Sequence, residues 1–181
     1  MRRVVVTGMG MLSPFGRGVD YNWENIVAGK SAIRRIDEDL ELYDVPVKIA
    51  GKVPTGKEAH QFDPDTVMEP KEQRRVDKFI LFGMAAGIDA MEDSGWKPES
   101  EEEQYRAGVM MGSGIGGLQT IYETSVIINE NKSSHRVSPF FIPSCLINMI
   151  SGNLSIRFGL KGPNHACVTA CSTGTHAIGD A

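Results

Sequence analysis

Cys171 stands in Val168-Thr169-Ala170-Cys171-Ser172-Thr173-Gly174-Thr175-His176, where an apolar, strand-like run meets small residues and the start of a helix. A thiol in the first turn of a helix faces unsatisfied backbone N–H groups and the positive end of the dipole, which favour thiolate over thiol. Ala170 and Gly174 flank it with little bulk. The chain can therefore turn tightly and push the sulfur outward, as in a nucleophile elbow, leaving backbone N–H groups free to hold an oxyanion. A buried, inert cysteine is the commoner fate of such a residue, but this setting favours an activated nucleophile. His176 lies five residues further on, about 140° around a helix axis, so it is not assigned as the base. His60, His135 and His165 read as ordinary surface or packing residues.

The three cysteines, Cys145, Cys167 and Cys171, make an odd count that does not form a disulfide framework. The spacing of Cys167 and Cys171 lacks the second ligand pair a zinc site needs. Cys167 reads as an inward-facing strand residue and Cys145 as a helix residue. A second constellation, Gly112-Ser113-Gly114-Ile115-Gly116-Gly117, satisfies G-x-G-x-x-G between a strand and a helix, the setting of a dinucleotide-binding turn. The acidic residue about twenty positions on is then Glu130, in a polar tract with no strand to present it. The loop reads instead as a tight turn that lets backbone pass close to something else.

The elements that position these residues alternate. Arg3 to Thr7 reads as a buried strand ending in a turn at Gly8 and Gly10. A helix starts near Asp20, presents Tyr21, Trp23, Ile26 and Val27 as its apolar face, and stops at Gly29. Residues 31–69, punctuated by prolines, read as a surface excursion with a strand-like piece at Val47 to Ala50. A long helix spans Lys71 to Ser94, its small residues suited to close packing, with Gly95 as its stop. Pro98 to Gln104 reads as an acidic, solvated linker, and Ala107 to Met111 as a second buried strand. A helix follows Gly117 through Ile128 and is closed by the polar tract 129–136. Another spans Ser144 to Phe158, stopped by Gly159, before a strand delivers Cys171. Strands alternating with helices imply an α/β layered fold with a largely parallel sheet.

Composition agrees with one globular domain over 1–181, with 41% hydrophobic and 23% charged residues. The net charge of −4 offers nothing to nucleic acid or an anionic membrane. The N-terminal apolar run is too short for a signal peptide or a membrane span. A cytoplasmic location is expected.

Several ordered blocks carry a resemblance along the whole chain. They are Arg3-Val4-Val5-Val6-Thr7-Gly8-Met9-Gly10-Met11-Leu12-Ser13-Pro14, Lys71-Glu72-Gln73-Arg74-Arg75, Gly112 to Leu118, Ser138-Pro139-Phe140-Phe141-Ile142-Pro143-Ser144, and the block ending in Ala170-Cys171. The chain resembles the β-ketoacyl-acyl-carrier-protein synthases, most closely the type II elongating enzyme. The resemblance implies the thiolase-like fold, layered α/β/α/β/α, of which this chain holds most of the N-terminal half. It implies that Cys171 accepts the acyl chain as a thioester and that decarboxylative condensation with malonyl-carrier protein follows. Ile115 matches the residue that gates the acyl pocket, and Phe141 the aromatic that reaches the partner's pocket across a homodimer. Lys71, Arg74 and Arg75 match a patch that docks the acidic acyl-carrier protein, and as positive charges at the N-terminal end of a long helix they oppose its dipole. No cofactor or metal is implied. The family's two active-site histidines, its lysine and its Gly-Phe-Gly-Gly turn belong to the C-terminal half. The chain is therefore expected to be truncated just after the nucleophile and inactive alone. A non-catalytic partner of the chain-length-factor kind and a dinucleotide-binding module are the alternatives.

Overall fold

The computed structural model describes residues 3–36 and 46–181; Met1, Arg2 and the part of the expected excursion at 37–45 lie outside them. Its centre is a helix, Lys78–Ser94, numbered α3 after α1 (Val19–Val27) and α2 (Pro70–Gln73). Asp77 caps α3 by accepting the Phe79 N–H, and Gly95 ends it in the left-handed conformation. Its inward face, Ile80, Leu81, Met84, Ala85 and Ile88, is buried. Burying each larger aliphatic contributes about 1.5–3 kcal/mol. Gly83 and Gly87 seat the side chains of Ile150 and Leu154 from α7 (Met149–Phe158), so the small residues do allow close helix packing.

Against α7 lies a parallel pair, β5 (Val109–Gly112) and β6 (Asn164–Cys167), in register from Val109 opposite Asn164 to Gly112 opposite Cys167. Two short antiparallel pairs precede it: β1 (Leu12–Ser13) with β2 (Gly16–Arg17), and β3 (Arg34–Arg35) with β4 (Ile49–Ala50). The remaining helices are α4 (Glu101–Arg106), α5 (Leu118–Asn131), α6 (Phe141–Cys145) and α8 (Thr173–Asp180). Arg17 straps β2 to the core: its Nε and Nη2 donate to Asp89 at 2.9 and 2.5 Å, and its Nη1 donates to the Thr66 hydroxyl at 2.7 Å. The hydrogen bonds to Asp89 raise the guanidinium pKa against the opposing effect of burial.

Five local expectations are corrected. Residues Arg3 to Thr7 form no strand, because no strand among the described residues pairs with them, and Val4 is 95% exposed. It is the following residues that lie along α3, where Met9 N–H donates to Asp93 and a Cβ on Gly8 or Gly10 would collide with α3 backbone. Helix α1 buries Asn22 and Asn25, while Trp23, Ile26 and Val27 are exposed. The Asn22 amide donates to the Gly16 and Gly18 carbonyls, so this face serves the β1–β2 turn. Lys71 to Ser94 is two helices, since Asp77 adopts an extended backbone as the cap of α3. The acidic linker contains α4, whose Ser100 and Glu103 form a reciprocal capping box. Ser144 to Phe158 is also broken: Leu146 is extended, and the Cys145 carbonyl ending α6 accepts Gly117 N–H at 3.2 Å.

Asp77 does a second job. Its carboxylate also accepts the backbone N–H of Thr120 at 3.0 Å and its hydroxyl at 2.8 Å, in the first turn of α5. Helix α5 begins at Leu118, and Gly117 before it supplies no side-chain cap, so one buried carboxylate serves two helix N-termini.

Candidate active site

Strand β6 ends at Cys167, and a single 3₁₀ turn over Ala170–Ser172 leads into α8 at Thr173. Cys171 therefore sits in that turn, two residues before the helix and four beyond the strand, rather than in the first helical turn. Its thiol is exposed. Ala170 has φ of +51°, a left-handed conformation that costs a residue with a Cβ about 1–2 kcal/mol. The turn persists because neighbouring groups hold it on several sides.

Thr173 is the central clamp. Its hydroxyl accepts the Thr169 N–H at 2.8 Å and donates to the Ala170 carbonyl at 2.7 Å, and its own N–H also reaches that carbonyl. Its carbonyl accepts the half-buried Cys167 thiol at 3.6 Å. From the other side comes the glycine loop. A Cβ on Gly114 would lie 2.9 Å from the Ala170 oxygen, and one on Gly112 would overlap the Thr173 methyl. Only glycine lets the loop approach so closely.

The same loop meets α6, where a Cβ on Gly116 would lie 2.8 Å from the Cys145 oxygen and one on Gly117 2.7 Å from the Cys145 Cα. Four glycines are thus covered by the chain's own Ala170, Cys167, Thr173 and Cys145. This is the tight turn expected from the sequence, and it leaves those glycines no room for a pyrophosphate. Ile115, at the loop's tip, is 66% exposed. Phe141 opens α6 and is half-buried. Cys171 and Phe141 accordingly lie on two segments that meet the glycine loop carrying Ile115.

Lys71 and Arg74 are exposed, and the Arg75 guanidinium lies 4.4 Å from the centre of the Phe140 ring. Lys71 occupies the last turn of the short α2, where a positive charge suits the dipole. The dipole argument for these residues therefore lapses. A cleft of about 980 Å³ is lined by Arg74, Lys78, Gln119, Glu123 and Phe140, but not by Cys171 or Ile115. The His176 Nε2 lies 3.0 Å from the Asp180 carboxylate and its Nδ1 3.3 Å from the Thr169 hydroxyl. Both ring nitrogens are thus committed away from the thiol. His60 stacks on Tyr21 with centroids 3.8 Å apart, a packing role.

Sequence reasoning gave no role to Thr173, although a threonine three residues after a turn residue is a known partner for that residue's carbonyl.

The chain matches the family model of the β-ketoacyl synthase N-terminal domain over residues 1–181. It is 52% identical over its whole length to the 3-oxoacyl-[acyl-carrier-protein] synthase 2 of Rhizobium meliloti, covering 43% of that protein. It is 43% identical over 99% of its length to the mitochondrial 3-oxoacyl-[acyl-carrier-protein] synthase of Arabidopsis thaliana, covering 41% of it. Among solved structures, a β-ketoacyl synthase from Burkholderia phymatum superposes on the whole chain with a TM-score of 0.79 at 25% identity, 43% of that chain being covered. The chain thus spans about two-fifths of the length of the curated relatives it matches. Full-length match to the family model, identity to these synthases and a shared thiolase-like fold agree, and the chain belongs to the β-ketoacyl synthase family, of which it carries the N-terminal domain.

Proposed function

We propose that the chain is the nucleophile-bearing half of a 3-oxoacyl-acyl-carrier-protein synthase of fatty acid elongation, an acyltransferase. The observation that carries this reading is the exposed Cys171 thiol on a clamped, left-handed turn. The Cys171 thiolate attacks the carbonyl carbon of an acyl thioester on acyl-carrier protein, the carrier's thiolate leaves, and the acyl group remains on Cys171. Malonyl-carrier protein then loses carbon dioxide. Its α-carbon attacks the acyl-Cys171 carbonyl, and the new carbon–carbon bond forms as the carbon–sulfur bond to Cys171 breaks. The product is a 3-oxoacyl chain longer by one two-carbon unit.

Negative charge builds on a thioester oxygen in these steps and needs positioned donors. In the family those donors and the histidines come from the C-terminal half, supplied in the same chain or by a second one. Residues 1–181 hold the acyl acceptor and do not turn over without that half. Ile115 gates the acyl pocket, and Phe141 reaches the partner's pocket in a two-fold homodimer. Lys71, Arg74 and Arg75 steer the acidic carrier protein, a role supported by the exposure of the first two. A cytoplasmic location fits this substrate; no helix among the described residues is long and apolar enough to cross a membrane.

The test uses the protein with its C-terminal half present and an electrophile that mimics the acyl group. Peptide mapping should find Cys171 labelled before Cys145 or Cys167, and Cys171→Ala should abolish acyl loading. Equal labelling of the three thiols, or preference for Cys145, sinks the reading.

A further inference from the structure

We infer that Thr173 is a positioning residue for Cys171, acting through its hydroxyl rather than its methyl. The inference rests on the reading of Cys171 as acyl acceptor and deepens it. Thr173 is 3% exposed, so it does not contact substrate; it acts through the backbone on either side of Ala170. One hydroxyl takes the Thr169 N–H and gives its own proton to the Ala170 carbonyl. These two residues set the direction in which the Cys171 Cα–Cβ bond leaves the chain.

Ala170 is the point of leverage. Its φ of +51° lies in a region that a residue with a Cβ holds only when its surroundings over-determine it. Released, it relaxes toward ordinary backbone angles, and a rotation there swings the sulfur away from its aim. Gly114 blocks one side of the turn and the hydroxyl ties the other. The methyl contributes differently, filling the space beside Gly112. Val at this position keeps the shape and loses both hydrogen bonds, whereas Ser keeps the hydroxyl and loses the methyl, so the two variants separate the roles.

The experiment measures single-turnover acyl loading from a medium-chain acyl-carrier protein, with thermal melting, in the protein with its C-terminal half present. Thr173→Val should fold and load about 10- to 100-fold more slowly, the loss expected of a misaimed nucleophile, at an unchanged half-saturating carrier concentration. Thr173→Ser should load within about 3-fold of the parent, because the hydroxyl's two hydrogen bonds survive. Parent-like loading by Thr173→Val, or equal slowing in both variants, overturns the inference. If Thr173→Val does not fold, Thr173→Ser decides alone: near-parent loading supports the hydroxyl's role, and slowing of about 10-fold or more, the cost of misplacement, overturns it. Cys171→Ala keeps the two claims apart. Loading that survives in Cys171→Ala overturns the nucleophile reading, whereas its loss there beside parent-like loading by Thr173→Val overturns the positioning role only.

Discussion

Ile115 is exposed at the tip of a loop whose neighbouring Gly114 abuts the carbonyl of Ala170, the residue before the proposed nucleophile Cys171. In the proposed gate, a branched side chain opens or closes a path by one rotamer change, and a larger ring fills more of that path. Ile115→Phe in the protein with its C-terminal half should lower kcat/KM for medium-chain primers by roughly 10-fold or more, with short primers little affected. Equal losses for both primer classes would make the loop merely structural. At this scale the sequence was informative about identity and poor about contacts. The flanking small residues of Cys171 pointed to a tight turn, which the left-handed Ala170 and the 3₁₀ geometry supply. Thr173 offers only the general signal of a threonine three residues after a turn residue, and which backbone groups its hydroxyl takes is decided by the fold around it.

Two helix boundaries in this chain fall where tertiary partners claim backbone or a cap, at Asp77 and at Cys145. Asp77 closes the N-termini of both α3 and α5 from a buried position. A lost cap costs about 1 kcal/mol and a stranded buried N–H adds to it. Asp77→Ala should therefore lower the unfolding free energy by about 2–4 kcal/mol, read as a fall in the urea midpoint at unchanged slope. A loss of only about 1 kcal/mol would mean that the carboxylate serves a single helix. The elements themselves were largely legible: α1, α5, β5 and the glycine stops at Gly95 and Gly159 fall close to their expected places. The breaks at 74–77 and 146–148 were not, because the Asp77–Thr120 and Cys145–Gly117 contacts join residues far apart in sequence. The capping box of α4 is present in the sequence as Ser100 and Glu103, but the run of glutamates around it reads as solvated charge.

Across the whole molecule, apolar periodicity found the long helix but started it at Lys71 instead of Lys78, set its apolar face on residues of which only Ile80 is among those buried, and misjudged α1 and the N-terminal segment. Periodicity says which residues share a face and nothing about where that face points. Trp23, Ile26, Val27 and Val4 to Val6 face outward, together with Ile156 and Ile178, as expected for a chain covering about two-fifths of its relatives' length. Among the groups that tie this core together, Asp77 joins two helix starts at once. Because α3 and α5 share one carboxylate, neither N-terminus can fray without exposing the charge that holds the other. The two helix starts then behave as one opening unit in native-state hydrogen exchange. The amides of Phe79 and Thr120 should exchange with matching opening free energies and keep step as denaturant is added, and Asp77→Asn should accelerate both together. Independent exchange of the two amides would show that the helices loosen separately despite their common cap.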